Sequence, residues 1–266
     1  MSKETAKELL EFIRKSPASF QAAEEMRRVF KEHGFTELFE EEKWKLKKGG
    51  NYFVMRNHSA FIAFSIPEKE ADKFHIMASH SDSPSFKVKE NPEMKVEGAY
   101  IKLNVEKYGG MLMSSWLDRP LSVAGRVMVL EDGEITEKLV SVDRDILLIP
   151  NLAVHMNREA NDGYAYNAQK DMLPLYSCSE GDFMEMLAKE AGVSKEDILS
   201  HDLFLYHRTE GSVWGEKGEF VSAPRLDDLQ CAFCSMKGLL QAKREHSIAV
   251  HCVLDNEEVG SGTRQG

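Results

Sequence analysis

Three short segments of the sequence place histidine or carboxylate side chains beside a predicted strand end or helix start. In the first, His80 and Asp82 follow the largely apolar run 74–78, which is typical of a buried strand. A histidine and an aspartate two residues apart can serve one metal ion, with the histidine as ligand and the aspartate orienting its ring. A turn with a surface histidine and an aspartate N-cap explains the same residues, so this segment alone leaves both interpretations open.

The second segment carries two adjacent carboxylates, Asp227 and Asp228, near the start of a predicted helix. The positive end of a helix dipole stabilises carboxylates at this position, so capping is a sufficient explanation for the pair. The alternative is chemical. Each carboxylate oxygen of Asp227 can bind one cation, which would make this side chain a bridge between two metal ions.

The third segment places Glu257 and Glu258 just after the apolar strand predicted for residues 247–254. Two like charges so close together repel, and the end of an apolar strand is an unusual place for them unless a cation compensates. One glutamate would then bind a metal ion while its neighbour acts as general base on a water molecule. With His80 and Asp227, the pattern indicates a two-metal site for zinc, with cobalt or manganese as substitutes.

The elements that must position these segments follow an α/β pattern at both ends of the chain, and the middle is rich in strands. Helical periodicity predicts helices over residues 4–13, 20–33 (with Ser19 as N-cap), 182–191, 195–199 and 225–243. Strands are predicted for residues 51–66, 74–78 and 247–254, and for successive segments between residues 100 and 149. We therefore expect the α/β class, with a mixed-sheet catalytic domain of residues 1–93 and 222–266 that is interrupted by a β-rich inserted domain of residues 94–221.

The composition argues against several other classes of protein. The chain has 266 residues, of which 42% are hydrophobic and 29% charged, enough for one large or two medium domains. A net charge of −10 without a dense lysine and arginine cluster argues against a nucleic-acid partner. No stretch approaches the roughly 18 apolar residues of a membrane span, and the N-terminus has no apolar signal region, so we expect a cytoplasmic protein without a membrane partner.

Four cysteines, too few for a disulfide scaffold, are expected to be reduced thiols. Cys231 and Cys234 form a C-x-x-C pair, but the second pair that a zinc ribbon needs is missing from the sequence. Because residues three apart share one face of a helix, we expect both thiols to face the core.

Five stretches, in order along nearly the whole chain, resemble the aspartyl aminopeptidase family of dizinc metallopeptidases. They are residues 78–84 (Ala-Ser-His-Ser-Asp-Ser-Pro), 108–126, 149–155, 223–229 and 255–261 (Asp-Asn-Glu-Glu-Val-Gly-Ser). One departure is Pro120, where the family usually has an acidic residue. Five ordered matches are specific where any single one would not be.

The resemblance implies a role for each candidate site residue. His80 would be a zinc ligand with Asp82 orienting it, and Asp227 would bridge both zinc ions. Glu257 would be the general base, and Glu258 would be a second zinc ligand.

The resemblance also implies how the protein assembles and what it acts on. His155, in the inserted domain, matches a histidine that reaches a neighbouring subunit's active site and helps to bind the substrate. Family members are homo-oligomers that remove N-terminal residues, acidic ones among them, from peptides. They continue past residue 266 and supply two further zinc ligands there, so we expect this chain to hold three of five ligands and to have weak activity or none. The alternative function is that of a catalytically incomplete assembly module.

Overall fold

The computed structural model describes residues 2–243 and 245–266. Its α-helices are α1 (Lys3–Lys15), α2 (Ser19–Glu32), α3 (Phe183–Ala191) and α4 (Leu226–Gln241). Its strands are β1 (Thr36–Leu38), β2 (Asn51–Arg56), β3 (Ala60–Ser65), β4 (Lys73–His80), β5 (Ser85–Val96), β6 (Tyr100–Tyr108), β7 (Leu121–Glu131), β8 (Glu134–Ser141), β9 (Leu175–Cys178), β10 (Ile198–His207), β11 (Ser212–Trp214), β12 (Phe220–Ser222) and β13 (Ser247–Leu254). Short 3-10 helices lie at Met113–Trp116, Lys195–Asp197 and Glu257–Val259. Within the described part of the chain, no helix has both the length and the apolar character that a membrane crossing requires.

Two compact units divide the chain. Unit 1 comprises Met1–Ser83 and Glu210–Gly266, and unit 2 comprises Pro84–Thr209. The domain limits predicted from the sequence fall later, after residue 93 and after residue 221, and each of these lies within a strand, β5 and β12 respectively. The strands continue across those positions. The boundaries between the two units lie just before β5 and between β10 and β11.

Unit 1 is built on a five-stranded sheet in the order β1-β2-β3-β13-β4. Strand β13 runs antiparallel to β3 and parallel to β4, so the sheet is mixed and the predicted α/β class is confirmed. In the parallel pair, Leu254 is the register partner of His80. Both strands therefore end at the same edge of the sheet, and the residues that follow them emerge side by side.

The core of unit 1 lies between this sheet and helices α1, α2 and α4. At its centre three fully buried rings stack, Phe61 with Phe30 at a centroid distance of 5.2 Å and with Phe53 at 5.1 Å. Offset stacking of this kind stabilises a core beyond the burial of apolar area alone.

A buried histidine ties β13 to α4 within this core. His251 is fully buried, and its Nδ1 lies 2.8 Å from the hydroxyl of Ser235. The same hydroxyl lies 3.1 Å from the carbonyl of Ala232, to which it donates when His251 Nδ1–H donates to Ser235. Burial lowers the pKa of His251 to about 3, which keeps the ring neutral. Strand β13, which leads into the glutamate segment, is thereby fixed to α4, which begins with the paired aspartates.

Unit 2 is dominated by strands, as predicted for the middle of the chain. Its six-stranded sheet has the order β8-β7-β10-β5-β6-β9 and pairs antiparallel throughout. Apolar side chains of β5, β6, β7 and β10 form its core together with α3. Asp182 caps α3 by accepting a hydrogen bond from the backbone of Glu185. The helix predicted for residues 195–199 is instead a short 3-10 turn that leads into β10.

Several local predictions for unit 1 were wrong. Residues 51–66 form two strands, because Asn57 and His58 adopt the left-handed conformation and turn the chain. Ser19 is the first residue of α2 and not its N-cap. The run 74–78 does form a strand, but β4 lies at the edge of the sheet, and the side chains of Phe74 and Ile76 are about two-thirds exposed.

The prediction for the C-x-x-C pair was also wrong. Cys231 and Cys234 do share one face of α4, but both are exposed. The face of α4 that packs into the core carries Leu229, Ala232 and Phe233. Sequence spacing predicted that the two thiols share a face but not which face the core would take.

Phe61→Ala should lower the free energy of unfolding by about 3–5 kcal/mol, because it removes a fully buried ring and leaves a cavity between two others. The matched control Phe74→Ala, at an exposed position in the same sheet, should change it by less than about 0.5 kcal/mol. Urea unfolding followed by far-UV circular dichroism measures both values. Equal losses in the two variants would contradict the assigned core.

Candidate metal centre

The three predicted segments meet at one edge of the unit 1 sheet. The first follows β4 and the third follows β13, and the parallel register brings both strand ends together. The second lies at the start of α4, which packs against β4. His80, Asp227, Glu257 and Glu258 therefore come from three stretches of sequence that are distant from one another.

His80 is held with one ring nitrogen towards Asp82 and the other towards the remaining carboxylates. Its Nδ1 lies 3.0 Å from the backbone carbonyl of Asp82 and 3.3 Å from the Oδ1 of the same residue. Two oxygen acceptors at Nδ1 favour a proton there in the neutral ring. The lone pair on Nε2 then faces Asp227 Oδ1 at 3.3 Å and Glu257 Oε2 at 3.8 Å, as a metal ligand would.

Asp82 holds more than the histidine. Its side chain is almost fully buried, and its two carboxylate oxygens accept hydrogen bonds from the backbone N–H groups of Glu257, at 3.2 Å, and Glu258, at 3.1 Å. Asn256, in the left-handed conformation, turns the chain so that both N–H groups point at Asp82. One carboxylate therefore orients the ring and fixes the glutamate loop, which goes beyond the role predicted for it.

A potential metal-binding cluster results. His80, Glu257 and Glu258 each offer one ligand atom, and these atoms all lie within 4.8 Å of one another. Asp227 is 84% exposed and approaches the same His80 nitrogen. One imidazole nitrogen with several carboxylate oxygens is a donor set that zinc accepts, so the residues present fit the predicted metal.

Asp228 is a site residue to which the sequence assigned no role of its own. Its carboxylate accepts a hydrogen bond from the backbone N–H of His80 at 3.2 Å. The hydroxyl of Ser83 donates to the carbonyl of Asp227 at 2.9 Å, and the peptide bond between Asp227 and Asp228 is cis. These contacts join the start of α4 to the end of β4. The partner of Asp228 lies 148 residues away in the sequence, so no local pattern could have revealed this contact.

Asp228 also affects a neighbouring thiol. A hydrogen bond to its carboxylate, together with the negative charge of that carboxylate, raises the pKa of Cys231 to about 11. The thiol therefore stays protonated at neutral pH, and a thiolate is required for both nucleophilic attack and metal binding.

The electrostatics of the site favour a cation. The hydrogen bond from His80 to Asp82, with the nearby negative charge of Asp82 and Asp228, raises the pKa of His80 to about 9. Burial raises the pKa of Glu258, and the negative charge of Asp82 raises it further. In the metal-free chain the ring is therefore doubly protonated and positively charged at neutral pH. A metal ion that binds Nε2 must displace the proton on that nitrogen.

His155 lies in unit 2, on an exposed, turn-rich segment between β8 and β9. It is not one of the residues that form the cluster in unit 1. Its role at the active site of a neighbouring subunit stays a prediction.

A mixed sheet whose parallel strand ends bring together imidazole and carboxylate side chains defines a candidate metal-binding site of an α/β metalloprotein. The family model for the aminopeptidase I zinc metalloproteases (M18) matches residues 12–266. A probable M18 family aminopeptidase 2 of Clostridium acetobutylicum is 44% identical over 273 residues, which cover 99% of this chain and 63% of the relative. The solved structure of Chaetomium thermophilum mApe1 matches with a TM-score of 0.92 at 29% identity, over 99% of this chain and 64% of that one. The S. cerevisiae mApe1 dodecamer gives a TM-score of 0.84 at 26% identity, over 98% of this chain and 62% of that one.

The chain belongs to peptidase family M18, the aminopeptidase I zinc metalloproteases. The resemblance inferred from the five ordered stretches is thereby confirmed. The chain spans 63% of the length of the Clostridium relative.

In the metal-free chain, His80 should titrate near pH 9, and Asp82→Asn should move this value down towards 6.5 because it removes the negative partner of the ring. NMR resonances of the ring protons measure the shift. Apparent zinc affinity of the unsubstituted chain should rise with pH up to about 9, since the metal replaces the ring proton. The control Asp72→Asn, at an exposed residue of the same unit, should leave the titration unchanged. A His80 titration near 6.5 in the unsubstituted chain would contradict the assigned contact.

Proposed function

We propose that the protein is a zinc-dependent aminopeptidase that removes N-terminal residues from peptides. The observation that carries this proposal is the convergence of His80, Glu257 and Glu258 on one point at the sheet edge, with Asp227 beside them. Membership of a zinc metalloprotease family supports the same conclusion.

His80, Glu258 and Asp227 would hold the zinc, with Asp227 shared between two ions. When bound, zinc makes a water molecule more acidic and polarises the carbonyl of the substrate. The high exposure of Asp227 supports a shared role, because both of its oxygens remain accessible. Asp82 keeps the ligand nitrogen of His80 directed at this position through its own contacts with Nδ1.

Glu257 would act as the general base. Its side chain is 57% exposed, and its Oε2 lies 3.8 Å from His80 Nε2, so it lies beside the ligands and remains open to water. It would take a proton from the attacking water and return it to the leaving amine. Its backbone N–H is fixed by Asp82, which keeps the carboxylate in place during both transfers.

Substrate choice and assembly are further parts of the proposal. We place unit 2 in oligomerisation and substrate binding, with His155 contributing to a neighbouring subunit's site. The structural match to an mApe1 dodecamer supports a homo-oligomer. Peptides with acidic N-terminal residues are the substrates we would test first, in a cytoplasmic setting. The alternative of a purely structural assembly module is not favoured, because the ligand cluster is already formed in unit 1.

Glu257→Gln should lower kcat by about 10²–10⁴-fold in a polypeptide of the relatives' full length that contains this chain, because it removes the general base. Its zinc affinity should fall far less than that of His80→Ala, which removes a ligand. Hydrolysis of aspartyl, glutamyl and leucyl amide reporters measures kcat, and isothermal titration with zinc measures affinity, the latter also on this chain alone. Glu4→Gln, at an exposed position of α1, is the matched control. Full activity of Glu257→Gln, or unchanged zinc affinity in His80→Ala, would refute the assignment.

A further inference from the structure

We propose that Asp118 is a positioning residue for His155, because it holds the start of the loop that carries this histidine. We call residues 149–151 the root of this loop, and the two hydrogen bonds that Asp118 makes with Ile149 and Asn151 the clamp. The proposal rests on the proposed function, in which His155 contributes to substrate binding. All the contacts involved lie within unit 2.

The clamp grips the chain on both sides of Pro150. The backbone N–H of Asp118 donates to the carbonyl of Ile149 at 2.9 Å, next to a parallel bridge between Leu117 and Ile149. Proline has no N–H, so the next donor along the loop is the backbone of Asn151. That N–H donates to the Oδ1 of Asp118, again at 2.9 Å. One residue thus holds the loop root through its backbone and its side chain.

The position of Asp118 itself is well supported. Trp116 is buried, with its ring edge-on to Phe86 at 5.2 Å, and Ile149 is fully buried in the core of unit 2. Asp118 has a φ of +54°, a left-handed conformation that aspartate adopts more readily than most residues. This conformation turns the carboxylate from the buried segment towards the loop.

Only residues 152–154 separate the clamp from His155, and this stretch forms hydrogen bonds with its own neighbours in the sequence. The side chain of Asn151 accepts the N–H of Leu152 at 2.9 Å. The carbonyl of Ala153 then accepts the N–H of Met156 at 2.8 Å, which closes a turn around His155. The side chains of Leu152 and Met156 are mostly exposed, so the loop's position depends on its root.

The clamp also joins two of the five stretches that resemble the family. Asp118 belongs to the stretch 108–126 and Asn151 to the stretch 149–155, and they are 33 residues apart in the sequence. Their side-chain and backbone groups meet in the fold.

A residue that serves only the stability of unit 2 would affect hydrogen exchange throughout the unit. A residue that positions the loop would affect exchange in the loop alone, and this difference can be measured.

The experiment compares hydrogen exchange in Asp118→Ala, Asp118→Asn and the unsubstituted chain. In Asp118→Ala the amides of Met156 and Asn157, which Asp118 does not touch, should exchange about tenfold faster, because losing one hydrogen bond at the root frees the turn beyond it. Asparagine keeps an oxygen acceptor and tolerates the left-handed conformation, so Asp118→Asn should restore most of the protection. Amides of β7 and β10 should be unchanged in both variants.

Asp132→Ala is the matched control. Asp132 also has a positive φ, of +52°, but it lies in the turn between β7 and β8, so this variant reports the cost of replacing a left-handed aspartate elsewhere in unit 2. It should leave exchange in the loop unchanged. Unchanged exchange at Met156 and Asn157 in Asp118→Ala would overturn the proposal, as would equally faster exchange throughout β7 and β10.

Kinetics of a full-length assembly separate this proposal from the proposed function. Asp118→Ala and His155→Ala should each lower kcat/KM, and the double variant should be no worse than His155→Ala alone. Additive losses would overturn the positioning role. If the loop loosens in Asp118→Ala but His155→Ala retains full activity, the clamp stands and the role assigned to His155 is wrong.

Discussion

The site depends on one constraint, the parallel pairing of β4 with β13 in the register that sets His80 opposite Leu254. Because both strands run in the same direction, their ends deliver the histidine segment and the glutamate segment to one edge of the sheet. A shift of one residue in that register would turn the side chains of a whole strand to the opposite face. The contact between His251 and Ser235 secures β13 against α4, so the second segment, at the start of α4, keeps its place as well.

On this frame, Asp82 organises the residues that meet. Its carboxylate faces the His80 ring on one side and two backbone N–H groups of the glutamate loop on the other. Asp228 performs a similar task between α4 and β4. The buried Asp82 and the partly buried Asp228 therefore hold the geometry, and the more exposed Asp227 and Glu257 remain available to a metal ion and to water. This division follows from burial, since a buried carboxylate needs fixed partners and an exposed one does not.

The sequence revealed the parts of the site whose signals are local. An apolar run followed by a histidine or by paired glutamates is visible within ten residues, and so are two aspartates at the start of a predicted helix. The three segments could be proposed from these local patterns alone. The contacts between them could not. The glutamate backbone groups lie 175 and 176 residues from Asp82, and the partner that holds His80 in place is 148 residues away. The wrong predictions have a similar origin. The exposure of Phe74 depends on the order of strands in the sheet, and that of Cys231 depends on which face of α4 packs on the core.

The ion pair between His80 and Asp82 also makes the fold sensitive to alkali when no metal is bound. The pKa of His80 in the folded state, about 9, lies above the ordinary value of 6.5, so the folded chain binds the ring proton more tightly than the unfolded chain does. The stabilisation from this proton is fully present below pH 6.5 and is lost as the pH rises through about 9. A bound cation would supply the missing positive charge at any pH in this range. Mild alkali therefore lowers the stability of the metal-free protein. A bound metal ion stabilises the fold most above about pH 9, where His80 has lost its second proton.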